Sequence, residues 1–128
     1  MFDKPKSYTD LLGKTNRIVE GTRIHGDITS PADFRLDGEL IGNFTSNGKL
    51  VIGPAGRVKG DIICNTADIE GKFEGKMRVE NMLNIKESAS IIGEVEIGKL
   101  SVEPGAVFSA SCIMLSNAKK STNANEQQ

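Results

Sequence analysis

The sequence predicts an all-β protein with a single domain: a parallel β-helix (β-solenoid) of about six coils, flanked by disordered tails. A short phrase recurs six times along the chain. It consists of a small residue, any residue, a large apolar residue, any residue, Gly, any residue and an apolar residue. The anchor positions of the six copies are Gly26, Gly42, Gly60, Gly75, Gly93 and, in a degenerate last copy, Ser109. A fixed period this short is the signature of a repeat architecture.

The spacing and the polarity of the copies predict the strand content of each coil. The anchors are 16, 18, 15, 18 and 16 residues apart, which is too short for a strand, a helix and two loops. It suffices for three short strands and three corners. Apolar and polar residues alternate within each copy, as they do in a strand with one buried face. Because stacked coils place like residues above like, each apolar position should become an internal column.

Three such columns can be aligned from the sequence. Two residues before the anchor stand Ile24, Leu40, Val58, Phe73, Ile91 and Val107. Two residues after the anchor stand Ile28, Phe44, Ile62, Met77, Val95 and Ser111. A third set precedes the phrase and contains Leu36, Ile52, Ile69, Ile85 and Val102. The long coils carry extra turn residues at 53–55 and 86–88, whereas the short coils close directly at 37–38 and 70–71.

The ends of the chain lack this pattern, which sets the predicted domain boundaries. Residues 1–17 are polar with isolated apolar side chains, and residues 116–128 contain nothing that could pack into a core. We therefore expect a flexible N-terminal tail over 1–17, the β-helix over 18–115, and a disordered polar C-terminal tail over 116–128.

Composition excludes several classes of function. A net charge of −1 argues against a nucleic-acid partner, and 5% aromatic residues without Trp argue against a stacking platform. No apolar run reaches the length of a membrane span and no signal peptide is recognisable, so we expect a cytoplasmic protein.

His25 is the only histidine, and no cysteine or histidine cluster has metal-ligand spacing. We predict no catalytic, cofactor-binding or metal-binding residues and no cofactor. Cys64 and Cys112 should lie three coils apart, too far for a disulfide.

Three segments resemble the bactofilin family of bacterial polymer-forming cytoskeletal proteins. They are residues 21–28 (GTRIHGDI), 36–42 (LDGELIG) and 56–62 (GRVKGDI). The resemblance covers roughly residues 18–115. It implies a right-handed parallel β-helix that forms filaments without nucleotide and is not an enzyme. It also implies a scaffold in cell shape and cell-wall organisation at the inner face of the membrane, with cell-wall enzymes or other scaffold proteins as partners.

The open ends of a coil stack predict self-association. An uncovered strand edge is a template for another chain, and the chain offers no convincing cap after Leu115. The alignment places Phe108 outward on the last coil, which predicts an inter-subunit contact. In the alternative, the sixth copy shifts register and Phe108 turns inward. The predicted polymerisation interface comprises Phe108, Val107, Ile113, Leu115, Ile24 and Ile28.

The first residues of the chain predict a weak membrane contact. Some bactofilins hold membranes through a short apolar and basic start, and Met1, Phe2, Lys4 and Lys6 resemble such a segment. One buried Phe contributes only about 2–3 kcal/mol, so binding would depend on many tails acting together in a filament. A plain solvated tail is the alternative.

Two other functions compete with the filament. Ile52-Gly53 and Ile97-Gly98 are similar to fragments of the hexapeptide repeat of left-handed β-helix acyltransferases. The acyltransferase hypothesis requires a strict period of six residues, which the chain lacks. It also requires a catalytic histidine in a subunit cleft, and His25 is the only candidate. The second competing hypothesis is a monomeric adaptor that binds one protein partner.

Overall fold

The computed structural model describes residues 14–115, and all regular secondary structure within that range is β-strand. The strands are β1 (Thr15–Ile18), β2 (Arg23–His25), β3 (Ile28–Ser30), β4 (Asp33–Leu36), β5 (Glu39–Ile41), β6 (Phe44–Ser46), β7 (Lys49–Ile52), β8 (Arg57–Ile69), β9 (Lys72–Ile85), β10 (Ser90–Val102) and β11 (Val107–Met114). The first strand begins at Thr15, so the β-helix starts three residues before the boundary at 18 that we expected. Residues 1–13 of the predicted N-terminal tail (1–17) and the whole predicted C-terminal tail (116–128) lie outside the described residues.

The strands stack as a parallel β-solenoid of six coils, which confirms the predicted fold. We define the coils as residues 15–30, 33–46, 49–64, 66–79, 82–97 and 99–114. Every strand pair is parallel and joins neighbouring coils. Strands β8, β9 and β10 run through corners of the solenoid, so each is 13 or 14 residues long. The stack leaves two strand edges without a partner in the described range, one at each end.

Five columns of side chains point into the solenoid, and two of them were not found from the sequence. Column 1 contains Ile24, Leu40, Val58, Phe73, Ile91 and Phe108. Column 2 contains Ile28, Phe44, Ile62, Met77, Val95 and Cys112. Column 5 contains Ile18, Leu36, Ile52, Ile69, Ile85 and Val102. These three match the predicted columns in coils 2 to 5.

The two further columns lie between columns 2 and 5. Column 3 consists of Cys64, Val79, Ile97 and Met114, in line with the paired Ser30 and Ser46 of the first two coils. Column 4 consists of Asn16, Phe34, Leu50, Ala67, Leu83 and Leu100. In the middle coils the inward side chains are almost fully buried. Each coil thus contributes to one continuous core that it could not bury alone.

The register of the sixth coil differs from our alignment by one residue. Strand β11 pairs Phe108 with Ile91 and Ala110 with Gly93, so Ala110, not Ser109, occupies the anchor position. The reason is the preceding turn. Ala106 N–H donates to the carbonyl of Glu103, just as Ala89 N–H donates to that of Lys86 in the coil before. The two turns have equal length, so the last step is 17 residues.

A glycine corner brings successive coils into close contact. The anchor glycines of the first five coils all have positive φ, between 131° and 149°. A Cβ on Gly42, Gly60, Gly75 or Gly93 would lie 1.9–2.0 Å from the carbonyl oxygen of the glycine one coil earlier. Only glycine tolerates both the φ angle and this approach. The repeated Gly in the sequence is therefore a packing requirement of the stack.

Candidate functional site

The C-terminal end of the solenoid presents an uncovered apolar face. All five inward columns end there on apolar or sulfur-containing side chains: Leu100, Val102, Phe108, Cys112 and Met114. Val102 is 44% exposed and Met114 is 46% exposed, although their equivalents in the coil before, Ile85 and Ile97, are completely buried. The difference arises because no further coil covers them within residues 14–115. We call these five residues the C-terminal end face.

Phe108 lies in this face and not on the side of the solenoid. We expected it to point outward above Ile92, and that placement is wrong, because Phe108 pairs with Ile91 in column 1. The ring is half-buried and packs against the core. Its uncovered side therefore faces along the solenoid axis. The sixth coil thus has the alternative register, in which Phe108 turns inward, and its ring takes an axial position and not a lateral one.

The other predicted residues of the last coil surround this face. Val107 and Ile113 point outward beside Ser90 and Glu96, and they are 52% and 58% exposed. Leu115 is half-buried, and its N–H donates to the carbonyl of Ile97. Val107 and Ile113 thus extend the apolar surface from the end face onto the sides of coil 6.

The N-terminal end is less apolar than the C-terminal end. Ile24 and Ile28, both predicted for the interface, lie there with Ile18 and are half-buried against the core. Columns 3 and 4, however, end on Ser30 and Asn16. The Asn16 amide donates from Nδ2 to Ser30 Oγ at 2.9 Å. The two ends of the solenoid therefore differ in chemistry at equivalent positions.

The corner glycine of coil 1 also marks an open end. Gly26 has the same positive φ as the later anchors, 135°, but nothing lies within 4 Å of the position of its Cβ. A coil stacked below it in the same geometry would place its own backbone there.

The sides of the solenoid are charged, and some of the charged side chains form ion pairs. Arg78 bridges Glu80 at 2.7 Å and Glu96 at 2.9 Å, and both ion pairs are exposed. Arg35 holds Asp37 through two hydrogen bonds, which raise the pKa of the guanidinium above its usual range. The exposed ion pairs of Arg78 contribute little stability.

The residues considered for catalysis and metal binding are dispersed. His25 is exposed on the outward face of coil 1. In the part of the chain that the structure describes, no group of three or more His, Cys, Asp or Glu side chains is placed to hold a metal ion. Cys64 and Cys112 are free and lie in different columns. Burial raises the pKa of the Cys64 thiol to about 12, so this thiol is neutral and unreactive.

Comparison with known proteins identifies the family. The bactofilin family model, described as polymer-forming cytoskeletal, matches residues 16–113. The chain belongs to the bactofilin family. The match extends from the first strand to the last, so all six coils belong to the bactofilin domain. Within residues 14–115 no helix has the length and apolar character that crossing a membrane requires.

Two bactofilins of Myxococcus xanthus (strain DK1622) are similar to this chain. Bactofilin BacO is 23% identical over 106 residues, which cover 83% of this chain and 83% of BacO. Bactofilin BacP is 22% identical over 85 residues, which cover 66% of this chain but only 35% of BacP. No solved structure matches the chain significantly.

Proposed function

We propose that this bactofilin assembles end to end into filaments without nucleotide, and that the filaments act as a cytoskeletal scaffold. The observation that carries the proposal is the C-terminal end face, in which five inward columns stop at uncovered apolar side chains. Completely burying one such side chain stabilises a contact by about 1.5–3 kcal/mol. A second copy stacked on this face would also pair the free edge of β11.

The sides of the solenoid support the same geometry. Their exposed isoleucines, such as Ile63 and Ile92, stand among charged residues and form no continuous apolar face. Charged surroundings oppose close lateral packing because each charge would lose water. Axial stacking buries apolar surface and leaves the charged sides in solvent.

The decisive experiment replaces Phe108 with arginine. In the filament, Phe108→Arg would bury a charge within the contact, which costs several kcal/mol, so we expect soluble monomers or dimers. The matched control is Ile92→Arg, which introduces the same charge on the side of coil 5, where Ile92 is 48% exposed. Sedimentation and negative-stain electron microscopy should show filaments for the wild type and the control. Undiminished filaments of Phe108→Arg would overturn the proposal, and a monomeric wild type would favour the adaptor.

We further propose that the filament lies in the cytoplasm at the inner face of the membrane and positions cell-wall enzymes or other scaffold proteins. The family's description as polymer-forming cytoskeletal supports the scaffold role. Met1, Phe2, Lys4 and Lys6 are the proposed lipid contacts, and they lie outside the described residues. Liposome co-sedimentation of the full chain beside a variant without residues 1–8 tests this. Equal binding of both proteins contradicts a membrane role for the segment.

A further inference from the structure

The two ends of the solenoid differ in two adjacent inward columns. At the C-terminal end, columns 3 and 4 stop at Met114 and Leu100, whereas at the N-terminal end they stop at Ser30 and Asn16. The side chain of Asn16 occupies a position that holds Phe34, Leu50, Ala67, Leu83 or Leu100 in the other coils. An amide here is an exception within its own column.

The hydroxyl of Ser30 makes its hydrogen bonds within the fold. The residue is only 7% exposed. Its hydroxyl donates to the carbonyl oxygen of Ala32 at 3.4 Å and accepts from the Ala32 N–H at 3.2 Å. Its further acceptor site receives the Asn16 amide. Ser30 therefore supports the local turn, and its replacement would disturb coil 1 itself.

Asn16 is in a different situation. It is exposed, and among residues 14–115 its amide makes only the hydrogen bond to Ser30. Within that range the remaining N–H and the carbonyl oxygen of the amide have no protein partner and can bind water. A second copy stacked on the N-terminal end would cover column 4 and remove this water. Burying an amide without new hydrogen bonds is unfavourable, and the C-terminal end face incurs no such cost.

We propose that Asn16 weakens the contact that covers the N-terminal end of the solenoid and thereby raises the concentration at which filaments form. This inference rests on the proposed end-to-end assembly, in which a second copy covers the N-terminal end. It identifies a position that tunes the assembly.

The test measures the critical concentration, which is the protein remaining in the supernatant after filaments are pelleted from a range of total concentrations. Asn16→Leu places in column 4 the residue found at 50, 83 and 100, and it leaves the hydroxyl of Ser30 bonded to Ala32. We expect its critical concentration to fall about tenfold. Asn16→Asp places a charge at the same point and should raise it by at least as much. The matched control, Asn65→Leu, alters an exposed corner between coils 3 and 4 and should leave it unchanged.

The outcomes separate this inference from the proposed function. If Asn16→Leu leaves the critical concentration unchanged, or raises it although thermal unfolding shows an intact fold, the inference is wrong. If neither variant changes assembly but Phe108→Arg abolishes it, Asn16 does not limit the contact at the N-terminal end, and only this inference fails. If Phe108→Arg leaves filaments intact, the end-to-end proposal itself fails.

Discussion

The glycine corner provides a quantitative comparison between two substitutions of the same chemistry. Gly26→Ala and Gly60→Ala each add one methyl group at a φ angle near +140°. Holding an L-residue in such a conformation costs about 1–3 kcal/mol. At Gly26 this strain is the whole effect, because nothing lies within 4 Å of the new Cβ.

At Gly60 a steric clash adds to the strain. The new Cβ would lie 1.9 Å from the carbonyl oxygen of Gly42, so the two coils must separate by at least about 1 Å to reach an acceptable contact. The Gly42 N–H donates to the carbonyl of Lys59 at 3.0 Å, and such a separation breaks this bond and its neighbours at about 1 kcal/mol each. We expect Gly60→Ala to cost about 4 kcal/mol or more in total, a large part of the stability of a small domain.

The assay is urea unfolding followed by circular dichroism. Both substitutions are placed in the Phe108→Arg background, so that assembly does not contribute to the measured stability. Gly26→Ala should unfold cooperatively at a modestly lower urea concentration, and Gly60→Ala should be largely unfolded or insoluble. Equal destabilisation of the two variants would refute the reasoning, because it would mean that the close approach between coils has no energetic weight.

Three further predictions concern the thiols and the core. A maleimide should label one thiol per native chain, that of Cys112, and two thiols after denaturation. Assembly should protect Cys112 from labelling. Rapid labelling of Cys64 in the native chain would contradict its burial. Stability should fall as pH rises from about 9 to about 12, by about 1.4 kcal/mol per unit, because the pKa of Cys64 is raised to about 12 in the folded state alone; Cys64→Val should remove this part of the pH dependence. Ile69→Ala should cost about 3 kcal/mol in unfolding free energy and Ile63→Ala, at an exposed position, less than about 1 kcal/mol.

The sequence was sufficient for the architecture because the core is periodic. Columns 1, 2 and 5 carry large apolar side chains in almost every coil, so a simple alignment finds them. The alignment did not find columns 3 and 4, because their residues in the first coils are Ser30, Ser46 and Asn16 and because Ala67 lies in the fourth coil. Extending the alternation by two residues beyond column 2 would have reached column 3. The serines at the start of column 3 hid the column from the alignment. A serine is buried when its hydroxyl is hydrogen-bonded, and residue spacing does not show such bonds.

The ends were harder to predict than the middle. In the sixth coil the anchor glycine is replaced by Ala110, and without a Gly the alignment selected Ser109. The length of the turn at 103–106 was the better guide, because it equals that at 86–89. The interface residues were found as a group of apolar side chains near the end of the chain. Their orientation required the register, which decides whether Phe108 faces sideways or along the axis.

The unequal turns provide a site at which a peptide can be inserted into the protein. The turns at 53–56, 86–89 and 103–106 lie on one edge of the solenoid, whereas the coils that close at 37–38 and 70–71 have no such turn. The stack therefore already accepts loops of different length at this edge without a change of register. A short peptide inserted between Pro54 and Ala55, both exposed, should leave the ladder intact. In a filament it would display one tag per subunit, in a regular array that light or electron microscopy can follow.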